Sequence, residues 1–141
     1  MWYNKIMGWL LRSPLHGLIS SSIMLISVTG RKSGQTYTTP VNYLNIDGAL
    51  FTTSQRSRKW WRNLRGGAAV TLRLRGQDQP AFSQVFEEAQ EIVPLLATML
   101  QRNPQIARYY GVRLDANRQA PAEALRQAAE KLVIIRTEMR P

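Results

Sequence analysis

IMLISVTGRKSGQTYTTPVNYLNIDGALFTTS, residues 23–54, is the stretch that decides the fold. Ile23 to Val28 reads as a buried strand, closed by a turn from Gly30 to Gly34. From Thr36 to Leu44 the residues alternate, with Tyr37, Thr39, Val41 and Tyr43 on one face, and Asp47-Gly48 marks a turn into Ala49 to Ser54. The pattern predicts a meander of three antiparallel strands. Pro40 has no N–H to give to a ladder, so it belongs at a sheet edge, a bulge or a barrel rim, where a ligand can approach.

Downstream, SQRSRKWWRNLRGG (residues 54–67) predicts a short helix with Ser57 as its N-cap and Gly66 just past its end. Val70, Leu72 and Leu74 alternate with polar residues, and Ala81 to Phe86 follows after Gly76 as a further strand. Ile92, Leu95, Leu96, Met99 and Leu100 have helical spacing, with Glu87, Glu88 and Glu91 at the helix start and Pro94 near its first turns. Shorter helices are expected over Ile106–Tyr110 and Ala122–Glu130, and Leu132–Thr137 closes the chain as a strand. Sequential strands with helices inserted between them indicate an α+β fold. The expectation is a small barrel of five or six mainly antiparallel strands, formed as a single domain over residues 1–141.

Residues 1–22 read as an amphipathic N-terminal helical segment. Lys5, Arg12, Pro14 and His16 interrupt its apolar residues, so it is too broken for a bilayer span, and no small-x-small site marks a signal peptide. Packing against the domain is the expectation, with Trp2 and Trp9 leaving a peripheral membrane contact as the alternative. The chain has no cysteine and one histidine, which excludes a disulfide framework and zinc chemistry and fits a cytoplasmic location. A lone His16 without a nucleophile elbow also argues against Ser-His-Asp hydrolysis.

The net charge of +10 is unevenly placed. Residues 1–76 hold eleven Lys/Arg against Asp47 alone, whereas residues 77–141 hold eight of each sign, so an anionic partner is expected to meet the first half. Arg31, Lys32 and Ser33 offer a guanidinium fork, a point charge and a hydroxyl between two glycines. The same turn also serves as an ordinary hairpin connection with its charges in water. It is neither a Walker loop nor a dinucleotide fingerprint. Arg56, Arg58, Lys59, Arg62 and Arg65 form a second cationic cluster beside a helix start, and a barrel can fold the two clusters into one wall around a polyanion.

Taken together, TGRKSGQTYTTPVNY, a serine-ended strand and WWRNL resemble the deazaflavin-dependent nitroreductase family, relatives of the flavin-binding split β-barrel proteins that use coenzyme F420. The resemblance is good over roughly residues 22–76. It implies that Arg31, Lys32, Ser33 and Gly34 hold the anionic tail of F420 and that Thr38, Thr39, Pro40 and Val41 lie beside the deazaflavin ring. By the same resemblance Ser54, Arg58, Trp60 and Asn63 lie near that site, and Tyr109 and Tyr110 are the substrate-side candidates. The run SQRSRK is shorter than the family pattern and lacks its glycine pair, which keeps FMN open as an alternative cofactor.

General acid–base groups are scarce, as suits a redox enzyme whose cofactor carries the chemistry. The expected activity is hydride transfer from reduced deazaflavin to a quinone, nitro compound or similar electron-poor small molecule. A non-enzymatic basic module binding nucleic acid or anionic membrane is the competing reading, although no specific nucleic-acid motif is present. Oligomeric state is not legible in the sequence.

Overall fold

β1 (Ile23–Thr29) and β2 (Thr36–Asn42) pair as the expected antiparallel hairpin, with Ile23 opposite Asn42 and Thr29 opposite Thr36. They begin the fold in the computed structural model, which describes residues 23–140. The expected N-terminal helical segment, and with it His16, Trp2 and Trp9, lies outside the described residues. β3 (Leu44–Ile46) and β4 (Ala49–Gln55) form a second hairpin across Asp47-Gly48, whose φ angles of 53° and 90° make a tight two-residue turn. β5 (Ala68–Leu74), β6 (Gln77–Phe86) and β7 (Leu132–Met139) complete one antiparallel sheet of seven strands, in the order β2-β1-β5-β6-β7-β4-β3. The α+β class stands.

Two expectations about the sheet change. Among the described residues the strand count is seven rather than five or six, because the run Thr36–Ile46 breaks at Tyr43 and serves two edges. Its first part pairs with β1 and its last part with β4, at opposite ends of the strand order. For the same reason the expected three-strand meander is two hairpins. β2 comes into contact with β4, so the sheet curls toward closure without a continuous ladder across the join. Pro40 lies on the edge strand β2, one of the places expected for it.

Alternation gives the curled sheet two apolar faces. Met24, Ile26, Val28, Val41, Leu50, Val70, Leu72, Ala81, Val133 and Ile135 fill the concave side, together with Trp61 and Leu64 from a 3₁₀ segment, Trp60–Leu64. On the other face Ile46, Ala49, Phe51, Leu132 and Ile134 are covered by α1 (Ala89–Arg102) and α2 (Ala122–Lys131), with a second 3₁₀ segment at Pro104–Tyr110. In α1 the buried residues Ile92, Leu96, Met99 and Leu100 carry the predicted helical spacing. Pro94 sits inside this helix, as its sixth residue.

The predicted Ser57 N-cap is not formed. The 3₁₀ segment starts after Lys59 and has no side-chain cap. Arg56 accounts for the delay, because it is pinned to the far side of the sheet. Its N–H donates to the Lys131 carbonyl at 2.9 Å, and Nη2 donates to the carbonyls of Glu87, Ala129 and Leu132 at 2.6, 3.3 and 3.1 Å. Residues 56–59 are spent returning from that anchor, and helical geometry begins only at Trp60.

Candidate functional site

The break at Tyr43 creates the site. β3 pairs only with Ala49–Phe51, leaving the flank of β4 from Thr52 to Gln55 without a ladder partner on that side. β2, which continues the path of β3 backwards, diverges to β1 and presents its own outer edge. Between these two free edges runs a seam, lined by backbone groups that neither strand satisfies for the other. Because β2 and β4 run in opposite directions, the start of β2 and the end of β4 lie at the same end. The Gly30–Gln35 turn and the Arg56–Leu64 segment therefore meet there.

A hydrogen bond makes the meeting concrete. Arg31 N–H donates to Asn63 Oδ1 at 3.1 Å, Asn63 Nδ2 donates to the Trp60 carbonyl at 3.0 Å, and Arg31 Nη2 donates to the Arg65 carbonyl. The turn is also closed internally, by Gly30 N–H to the Gln35 carbonyl at 2.7 Å and Gly34 N–H to the Gly30 carbonyl at 2.8 Å. Ser33 Oγ accepts from Gln35 N–H and bonds to Tyr37 OH at 3.0 Å. Gly34 has φ +70°, the left-handed conformation expected of it. Gly30 is needed for a different reason: a Cβ there would lie 2.5 Å from Tyr37 Cε2.

The cations divide into two sets. Arg56 is engaged with three carbonyls, Arg31 braces the turn, and Arg65 makes a two-point ion pair with Glu87, at 3.0 Å from Nε and 2.9 Å from Nη2. Arg62 and Arg65 also lie over the buried Trp61 ring, 5.8 and 5.2 Å from its centroid. The hydrogen bond to Glu87 raises the Arg65 pKa above its ordinary value, against a smaller opposing effect of desolvation. The side chains of Lys32, Arg58 and Lys59 are exposed and hold no hydrogen bond or ion pair among the described residues. These three, together with Arg62, whose side chain meets only the Trp61 ring among the described residues, are the charge available to an anion at this end of the seam.

Along the seam the other predicted residues separate by face. Val41 joins the concave core, and by alternation Thr39 shares its side. Thr38 and Pro40 lie on the opposite side, where Thr38 Oγ1 bonds to Ser27 Oγ at 2.8 Å. Ser54 is buried on the concave side of β4, with Oγ donating to the Gln55 carbonyl at 3.2 Å. Trp60 is half-buried against the concave core, yet its Nε1 is buried with no partner. Tyr109 is 78% exposed. Tyr110 is tied to the site's strand, its hydroxyl 2.9 Å from Thr53 Oγ1 on the helix-covered face of β4. Burial raises the Tyr110 pKa above 10.0, and the Thr53 hydrogen bond offsets part of that rise.

One residue escaped sequence reasoning. Thr52, 1% exposed on the concave side of β4, buries Oγ1 without a partner. The signal was its place in the same period-two set as Ser54, but only the absence of a β3 partner beyond Phe51 gives it meaning. Three buried polar atoms are unsatisfied among the described residues, Thr52 Oγ1 on β4 and Nε1 of both Trp60 and Trp61, and with the exposed cations at one end of the seam the first two leave room for a polar ligand that carries an anionic tail. A shallow pocket of about 330 Å³ lined by Arg113, Leu114, Asp115, Gln119, Ala120 and Pro121 belongs to the loop before α2, away from the seam. No cluster of His, Cys, Asp or Glu among the described residues could hold a metal, and no helix among them is long and apolar enough to cross a membrane.

The sequence profile of the F420H(2)-dependent quinone reductase family matches residues 13–121. The chain belongs to that family. It is accordingly an F420-dependent reductase, with F420 as its cofactor. No curated protein sequence matches it. Among solved structures, a general stress family protein from Xanthomonas campestris pv. campestris is similar at 12% identity and TM-score 0.54, over 88% of this chain and 77% of the other. A general stress FMN/FAD binding protein from Xanthomonas citri is similar at 14% identity and TM-score 0.52, over 88% and 79%. A protein of the nimc/nima family from Clostridium acetobutylicum is similar at 10% identity and TM-score 0.51, over 93% and 86%. At these identities the likeness is one of fold.

Proposed function

We propose that this family member places the F420 ring along the seam between β2 and β4 and the anionic tail against Lys32, Arg58 and Lys59, and that it reduces a quinone, nitro compound or similar electron-poor acceptor. The observation that carries this reading is the coincidence of the unsatisfied Thr52 Oγ1 and Trp60 Nε1, the open strand edges and the unengaged cations at one end of the barrel. When bound, F420H2 supplies a hydride to the acceptor. The chain's own contribution is positional.

Thr38–Val41 and Thr52–Ser54 flank the seam, where their backbone groups can hold the ring edge. Ser33 and Gly34 shape the turn, and Asn63 fixes it to the Trp60 segment. Each charge-assisted contact to the tail is worth about 1.5–3 kcal/mol, so three cations supply roughly 4.5–9 kcal/mol before the association cost of about 4 kcal/mol or more, and micromolar affinity needs the ring contacts along the seam as well. Of the two tyrosines, Tyr110, bonded to Thr53 on β4, is the one we assign to the acceptor side, whereas Tyr109 is largely exposed. The missing cysteine and the small-molecule chemistry agree with a cytoplasmic site of action.

Titration with F420, FMN and NADPH, followed by oxidation of F420H2 with a quinone and with a nitroaromatic acceptor, tests the reading. F420 is expected to bind in the micromolar range or tighter and to displace FMN. Tight FMN binding that F420 cannot displace, or F420 affinity unaltered in the Lys32→Ala/Arg58→Ala double variant, would refute it.

A further inference from the structure

Glu87 lies at the junction of β6 and α1, outside the sequence stretches that form the seam, yet the hydrogen bonds of the turn lead back to it. Its carboxylate takes both Nε and Nη2 of Arg65. The Arg65 carbonyl takes the Arg31 guanidinium, and the Arg31 N–H is held by Asn63. The Glu87 backbone carbonyl also takes Arg56 Nη2 at 2.6 Å, so the residue that receives Arg65 is itself anchored from the other side of the sheet. Arg65 is further steadied over Trp61, which is 1% exposed. A two-point Arg–carboxylate pair fixes orientation as well as distance, which a single ammonium contact does not.

We propose that Glu87 is a positioning residue for the cofactor turn: by orienting Arg65 it presents the carbonyl that captures Arg31, so that Arg31 braces the turn instead of contacting the anionic tail. This assigns Arg31 a different part from its neighbour Lys32. The guanidinium is committed within the protein, and the turn's free positive charge is that of Lys32. The effect on cofactor affinity rests on the seam reading given above. The effect on the turn itself does not.

Amide hydrogen exchange on the cofactor-free protein separates the two. In Glu87→Ala the N–H groups of Gly30, Arg31 and Gly34 should exchange about fivefold faster, the upper end for a half-exposed pair, while Leu72 and Ile134 in the core keep their rates. Glu87→Gln retains an acceptor for Arg65 and should fall between. Unchanged turn amides in Glu87→Ala, or an equal acceleration at Leu72 and Ile134, would overturn the proposal. With F420 present, Glu87→Ala should weaken binding by a similar factor, seen in the cofactor KM more than in kcat, with partial rescue in Glu87→Gln. The salt dependence of F420 binding should be parallel in wild type and Arg31→Ala. A flatter dependence in Arg31→Ala would make Arg31 a direct ligand and overturn its assignment as a brace. Failure of the wild type to bind F420 would sink the seam reading, while the exchange rates would still decide the part played by Glu87.

Discussion

Replacing Gly30 with alanine tests how the turn is built. The new Cβ would lie 2.5 Å from Tyr37 Cε2 and 2.8 Å from Ser33 Oγ, both well inside van der Waals contact. Gly30 is not in the left-handed region, so the cost is one of space rather than backbone strain. Tyr37 is 45% exposed and can swing outward, which limits the penalty to the lower part of the overpacking range. Swinging breaks the 3.0 Å Ser33–Tyr37 hydrogen bond and adds roughly 0.5–1.5 kcal/mol. The sum is about 2 kcal/mol, which for a domain of this size lowers Tm by roughly 6–10 °C. Thermal denaturation of Gly30→Ala and of Gly30→Ala/Tyr37→Ala measures it. Removing the ring should recover up to half the loss, because the clash with Tyr37 disappears while the close contact with Ser33 Oγ stays and the hydrogen bond does not return. A Gly30→Ala protein as stable as wild type, or a double variant less stable than the sum of the two single changes, would refute the reasoning.

Arg56→Lys keeps the charge and has three donors, but its shorter stem holds them back from the three carbonyls that Nη2 now reaches, and the change should cost about 2 kcal/mol in chemical denaturation. Thr52→Val removes a buried hydroxyl that has no partner, so the cofactor-free protein should gain about 1 kcal/mol while F420 affinity falls. Unchanged affinity would assign Thr52 to packing alone. Tyr110→Phe loses the bond to Thr53 at a cost of about 1 kcal/mol near neutral pH. Because the folded-state pKa of Tyr110 is raised above 10.0, its contribution is fully present below pH 10 and is lost as pH rises through the folded value. The wild type should therefore lose stability above pH 10 more steeply than Tyr110→Phe, which a pH series of denaturation midpoints would show.

Local physics sufficed wherever an element depends on its own neighbours. The alternation of Val70, Leu72 and Leu74, the spacing from Ile92 to Leu100 and the Asp47-Gly48 turn were legible in the chain, since side-chain period and φ preference act over a few residues. The cationic turn and the tryptophan segment were also legible, and the tertiary fold joins them through Arg31 and Asn63. What one sequence could not contain is the choice made at Tyr43. Thr36–Leu44 reads as one alternating strand, and only the curl of the whole sheet divides this part of the chain between β1 and β4 and so opens the seam. The fate of each arginine is likewise a tertiary matter. Charge is visible in the sequence, but the carbonyls that claim Arg56 and Arg31 and the carboxylate that claims Arg65 lie 22 to 76 residues away along the chain. Long-range contacts of that kind arise from chain closure rather than from local preference, so they separate the bracing cations from the unengaged ones only once the sheet has curled.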